Sequence, residues 1–180
     1  MGNKCVFLDK DGTLVKEVHH MTDESQLEII PGSPEAIKIL RDIGYLIIVV
    51  TNQSVVGRGM ITEDKLRRIM DTMKSMFLEE GAVIDRIYYC PHHPADGCPC
   101  RKPNSLLYEQ ARKDFNLDFT KCYVIGDSFC DIFAGKKIGA RTILVLTGHG
   151  QEIHNLYSFP DIIAADLYEA AIIIKGMSEG

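Results

Sequence analysis

Five short apolar runs decide what this chain can fold into: Cys5 to Leu8, Tyr45 to Val50, Arg86 to Tyr89, Cys122 to Ile125 and Thr142 to Leu146. Each is rich in Val, Ile or Tyr and lacks the polar alternation of a half-exposed strand, which is the pattern of strands buried on both faces. Segments of helical period lie between them. Ser33 stands to cap a helix that starts at Pro34, repeats Ile37, Leu40 and Ile43 on one face and stops at Gly44. Thr62 opens a second helix, with Leu66, Ile69, Met70, Met73 and Phe77 at three-and-four spacing as far as Gly81. A third runs over 105–115, a fourth over 129–139, and a weaker one over 167–175. The alternation predicts an α/β fold, a Rossmann-like doubly wound parallel sheet with helices on both faces. No repeat and no Pro/Gly/Ser linker divides the 180 residues, so 1–180 reads as a single domain carrying two polar loops, 16–31 and 91–104.

Several function classes fall away at this stage. A net charge of −5 argues against a general nucleic-acid binder. The longest apolar run, Ile43 to Val50, is far short of a membrane span, which needs about 20 residues. The opening MGNKCVFLDKDG has no signal-peptide character, so a cytoplasmic location is expected. A chain of this length buries about 70% of its unfolded surface and needs no obligate protein partner to hold a core. In a reducing compartment the six cysteines read as thiols or metal ligands rather than disulfides.

Parallel sheets bind ligands beyond the carboxyl ends of their strands. The first run is followed by Asp9-Lys10-Asp11-Gly12-Thr13, the second by Thr51-Asn52-Gln53-Ser54, and the fourth by Gly126-Asp127-Ser128 with Asp131 four residues on from Asp127. Asp9 and Asp127 side by side would call for a hard divalent cation, and Mg2+ takes one or two carboxylates together with phosphate oxygens. That chemistry suits phosphoryl transfer. Asp9 is placed to attack phosphorus, and Asp11 to protonate the leaving oxygen and then deprotonate water. Thr51 could hold a phosphoryl oxygen, and Lys102 could supply the compensating charge.

The loop 91–104 brings a second ligand set. Cys90-Pro91-His92-His93 and Cys98-Pro99-Cys100 offer three thiolates and one imidazole, a structural zinc pattern that either histidine could complete. A zinc loop over about 90–102 would also fix Arg101 and Lys102 beside the phosphate. Cys5, Cys122 and Cys130 read as small buried hydrophobes, and His149 and His154 as surface residues.

Asp9-x-Asp11-Gly-Thr13, Thr51, Lys102 and Gly126-Asp127-x-x-x-Asp131, in this order, resemble the four motifs of the haloacid-dehalogenase superfamily of phosphatases across about residues 5–150. The resemblance implies Asp9 as nucleophile, Asp11 as general acid and base, Thr51 and Lys102 as phosphoryl stabilisers, and Mg2+ held by Asp9, Asp11 and Asp127. Asp131 is left as either an orienting group or a surface helix residue. The C-x-H…C-x-C-R-K-P loop is similar to the subgroup that holds the heptose bisphosphate and histidinol-phosphate phosphatases. This subgroup lacks a large cap domain, and its pattern selects Cys90, His92, Cys98 and Cys100 for Zn2+. Thr51 to Gly59 and Tyr88 to Pro94 lean to the heptose side, and the substrate implied is a small phosphorylated metabolite. Its candidate contacts are Asn52, Gln53, Ser54, Arg58 and Arg101, with Arg58 a grip for a second phosphate. Two departures point the other way: the short spacing from His92 to Cys98, and Ser128 where a basic substrate contact is expected.

Overall fold

In a computed structural model, which describes residues 2–156 and 159–179, the apolar runs become one parallel sheet. Its strands are β1 (Cys5–Leu8), β2 (Leu46–Asn52), β3 (Arg86–Cys90), β4 (Tyr123–Gly126), β5 (Arg141–Val145) and β6 (Ile162–Ala164), in the spatial order 3-2-1-4-5-6. The helices are α1 (Ser33–Asp42), α2 (Glu63–Glu79), α3 (Leu106–Phe115), α4 (Phe129–Ile138), α5 (Gly150–Leu156) and α6 (Leu167–Glu179). This order is that of a doubly wound sheet, and its switch point falls between β1 and β4.

The period of two along β1 explains how both faces are covered. Val6 and Leu8 pack with Ile37 and Leu40 of α1, Leu66 and Met73 of α2, and Ile174 of α6. Cys5 and Phe7 point the other way, among Leu107, Tyr108 and Ala111 of α3 and Ala134 of α4. Phe7 meets Tyr108 edge-on at 5.0 Å between ring centroids and leans on Phe119 at 6.2 Å. Truncation of Phe7 to Ala should therefore cost about 3–5 kcal/mol. Chemical denaturation would show this as a fall in the midpoint at constant slope, and a loss under about 1 kcal/mol would mean that this layer is not close-packed.

The structure departs from the sequence reading in a few places. Thr62 caps α2 as expected, accepting from the Lys65 N–H at 3.2 Å. Ser33 does not cap α1: it is the first helical residue, Gly32 takes the cap position, and the Ser33 hydroxyl donates to the Thr13 carbonyl. Strand β2 runs on to Asn52, which puts Thr51 inside the sheet end. Helix α5 and strand β6 were not read from the sequence. The first is short and polar, and the second is a three-residue edge strand whose period cannot be measured. Between β1 and α1 the chain carries only a short 3-10 turn at Glu24–Gln26 and the bridges Asp11 to Val15 and Val15 to Ile29, with no room given to a large cap domain. No helix among the described residues is long and apolar enough to cross a membrane.

Candidate active site

Strand register brings the acidic residues together. Leu8 pairs with Ile125, and the Asp9 N–H donates to the Ile125 carbonyl at 3.0 Å, so the residues that follow β1 and β4 emerge side by side at the switch point. One carboxylate oxygen from each of Asp9, Asp127 and Asp131 lies within 4.8 Å of the others. Asp131 is buried, as an orienting group would be and a surface helix residue would not. Lys102 is buried beside them. Its ammonium stands 2.8 Å from Asp9 Oδ1 and 2.6 Å from Asp131 Oδ1, and donates to the Val50 carbonyl at 2.7 Å. Burial opposes that charge, but Asp131 and Asp9 outweigh it and hold the lysine well above its ordinary pKa. Burial and Asp9 push Asp131 up to about 6, which still leaves it ionised opposite Lys102 at neutral pH.

Asp127 has no such partner among the described ion pairs. Burial, and then the charge of Asp9, push its carboxyl up to about 8, and its Oδ2 accepts from the His149 N–H at 2.8 Å. Gly12 and Gly148, both at positive φ, close around it: a Cβ would come within 2.2 Å of Asp127 Oδ2 from Gly12 and 2.1 Å from Gly148. Two carboxylates so placed, with a backbone that leaves no room for a side chain, suit a hard cation. The Asp11 carboxylate is not one of the three that converge. It turns to Lys10 and to Gln53, whose Nε2 donates to Asp11 Oδ2 at 2.8 Å.

The crevice over these groups, about 280 Å3, is lined by Asp9, Thr51, Arg101, Lys102 and Asp127 among others. A smaller cleft of about 180 Å3 shares Asp11, Glu17 and Asn52 with it and continues past His19, His20, Gln53 and Ser54. Arg101 is half-buried, and its Nη1 has no hydrogen-bond partner. Arg58 is exposed, with its Nε on Ser54 Oγ at 3.3 Å. The amides expected to meet substrate line the cleft and also bond within the protein. Asn52 accepts from the Lys102 N–H at 2.9 Å and donates to the Lys102 carbonyl at 3.2 Å, which fixes the lysine's backbone. Gln53 donates to Thr51 Oγ1 at 3.0 Å as well as to Asp11.

Three groups at this site escape a sequence reading. Lys10 is wholly buried against Asp11, although a lone lysine between two aspartates carries no signal of that. Cys130 and His149 line the crevice, where a packing role and a surface role were expected. Ser128, already singled out in the sequence, lines the crevice as well, with its hydroxyl bonded to Asp131 at the start of α4. Cys5 and Cys122 do pack as small core residues, with their sulfurs 3.5 Å apart.

The second ligand set is assembled beside the crevice. Cys90 Sγ lies 3.4 Å from Cys98 Sγ and 3.2 Å from Cys100 Sγ, Cys98 and Cys100 are 3.5 Å apart, and His92 Nδ1 is 3.2 Å from Cys100 Sγ. Four ligands at about 2–2.3 Å from a tetrahedral zinc ion have edges of about 3.5 Å. The donor set and its spacing fit such an ion. His93 is used elsewhere: its Nδ1 accepts from the Ala95 N–H at 3.1 Å and caps the turn Pro94–Asp96.

Known proteins share both fold and sequence with this chain. A family model described as HAD-hydrolase-like matches residues 99–170. A protein of Haemophilus ducreyi named D-glycero-beta-D-manno-heptose-1,7-bisphosphate 7-phosphatase is 40% identical over 156 residues, 82% of this chain and 86% of its own. One of Chlorobaculum tepidum named D-glycero-D-manno-heptose-1,7-bisphosphate 7-phosphatase is 35% identical, covering 93% of this chain and 92% of its own. The crystal structure of D,D-heptose 1,7-bisphosphate phosphatase from B. bronchiseptica, complexed with magnesium and phosphate, superposes with a TM-score of 0.90 at 30% identity over 98% of this chain and 99% of that one. With the motifs in order, the doubly wound sheet and identities of this level over most of both chains, the protein belongs to the haloacid-dehalogenase-like phosphatases, in the family of the heptose-1,7-bisphosphate 7-phosphatases.

Proposed function

We propose that this enzyme removes the 7-phosphate of D-glycero-D-manno-heptose 1,7-bisphosphate through an aspartyl-phosphate on Asp9. The observation that carries the reading is the contact of Asp9 with Lys102 at 2.8 Å beside a buried Asp127 that lacks a cation of its own. The names of the relatives supply the sugar, and the magnesium in the B. bronchiseptica complex supports Mg2+ as the cation. Asp9 and Asp127 would hold it, and bound there it neutralises phosphoryl charge. Asp11, also expected among its ligands, sits close by with its carboxylate bonded to Lys10 and Gln53.

The rest is done by the protein's own groups. Asp9 attacks phosphorus while Lys102 and the Thr51 hydroxyl take up charge on the phosphoryl oxygens. Asp11 gives the leaving oxygen its proton and then takes one from the water that opens the acyl phosphate. Arg101, which lines the crevice and whose buried Nη1 has no hydrogen-bond partner, is the anion grip for the substrate, and Glu17, His19 and His20 line the cleft in which its sugar would lie. The set Cys90, His92, Cys98 and Cys100 would hold Zn2+ as a staple for the loop that carries Arg101 and Lys102. Thiolate ligands of this kind favour a reducing compartment, the cytoplasm.

The experiment is a substrate panel with Mg2+. Heptose bisphosphate should be hydrolysed at its 7-phosphate with a kcat/KM at least ~100-fold above that for histidinol phosphate, a difference of about 2.7 kcal/mol in transition-state binding. A preference for histidinol phosphate would overturn the substrate, and no Mg2+-dependent release from any phosphomonoester would overturn the reaction.

A further inference from the structure

A fully buried lysine stands inside the strand-end motif and has no part in the chemistry above. Lys10 is 0% exposed. Its ammonium ion-pairs with Asp11 Oδ1 and otherwise approaches Met21 Sδ, at 3.7 Å. A buried ammonium is costly unless it is paired, so this lysine is committed to Asp11. The other oxygen of Asp11 is taken by Gln53, also buried, whose Nε2 donates at 2.8 Å. The same nitrogen donates its second hydrogen to Thr51 Oγ1 at 3.0 Å. Asp11 is thus held by both oxygens. Thr51, accepting from the amide, has its own proton free to give into the crevice.

We infer that Lys10 and Gln53 are positioning residues: together they aim the Asp11 carboxylate at the attacking water, and Gln53 also turns the Thr51 hydroxyl outward as a donor. The inference rests on the phosphoryl-transfer reading above. In the step concerned, the water oxygen bonds to phosphorus and the bond from phosphorus to the Asp9 oxygen breaks. Its electron pair returns to Asp9, and the water's proton passes to Asp11. A poor leaving group also needs a proton from Asp11 in the first half-reaction, whereas p-nitrophenolate leaves without one. Misplacing Asp11 should therefore slow hydrolysis of the intermediate with every substrate, and slow its formation only with a poor leaving group.

Rapid mixing of Lys10→Met or Gln53→Leu with p-nitrophenyl phosphate and Mg2+ tests this, with Lys10→Arg as the charge-retaining control. Each apolar variant should release a burst of about one nitrophenolate per chain and then turn over roughly 100-fold more slowly than wild type. For Lys10→Met, kcat/KM for the aryl phosphate should stay within about threefold of wild type and that for an alkyl phosphate should fall; for Gln53→Leu, which also releases the Thr51 hydroxyl, the aryl kcat/KM should fall less than kcat. Lys10→Arg should recover most of kcat. If kcat/KM for the aryl phosphate falls in step with kcat and no burst appears, or if kinetics are unchanged, the inference is overturned. Should Lys10→Met fail to fold, Gln53→Leu decides the matter, since it leaves the buried charge pair in place. A wild-type chain that forms no phosphoenzyme would instead sink the underlying reading.

Discussion

Replacement of Asp9 by Asn is expected to reduce turnover by roughly 10^4-fold or more while leaving the fold intact, because an amide cannot serve as the attacking oxygen. The structure makes the second half of that expectation specific. Asp9, Asp127 and Asp131 crowd within 4.8 Å, and Asp9 is among the charges that push both Asp127 and Asp131 up. Removing it relieves that repulsion, and Lys102 keeps its contact with Asp131 at 2.6 Å. The melting temperature of the variant should thus match or exceed that of wild type in metal-free buffer. Activity above about 1% of wild type in the Asn variant would rule out Asp9 as the nucleophile. A variant that is dead and also unfolded would show that Asp9 holds the site together, contrary to the charge argument.

Metal analysis of the purified chain should find about one zinc per chain, and Cys100→Ser should abolish it with a loss of several kcal/mol in stability, since a bound structural ion contributes its binding energy to the folded state. Kinetics should suffer as well, by about tenfold in kcat/KM, because the staple touches the site along two routes. Arg101 and Lys102 follow Cys100 directly, and Asn52 is bonded to both sides of the Lys102 backbone. On the other side, the Gly57 N–H donates to the Pro91 carbonyl at 2.8 Å, and a Cβ on Gly57 would come within 2.2 Å of the His93 nitrogen, so the loop after β2 is pressed against the ligand loop. A Cys100→Ser chain that kept both its melting temperature and its kcat/KM would remove zinc from the account.

Much of this site can be read from the sequence because its chemistry is written at strand ends. Asp9 and Thr51 follow an apolar run directly and Asp127 follows one after a single glycine, and a parallel sheet delivers such residues to one edge whatever the details of packing. The thiolates are legible for a similar reason, since three cysteines and an adjacent pair of histidines within eleven residues can close on one ion without help from the rest of the chain, although spacing does not choose between His92 and His93. Lys102 is harder to place. Its role depends on Val50, Asp9 and Asp131, which lie 52, 93 and 29 residues away.

The sequence by itself therefore determined the doubly wound architecture, the acidic edge and the ligand loop, all of which follow from local period and local spacing. Tertiary structure decided what each side chain at that edge is free to do. Asn52 and Gln53 line the cleft beside the site, and their amides are bonded to Lys102, Thr51 and Asp11. Asp131, on a helix whose exposed face gave no sign of it, is buried against Lys102, and Lys10 is buried against Asp11. His92 rather than His93 meets the thiolates because the His93 ring caps the next turn. The physical reason is the same in each case: a buried polar group must find a partner, and the partner is set by which loops pack together, for which neighbouring residues in the chain hold no signal.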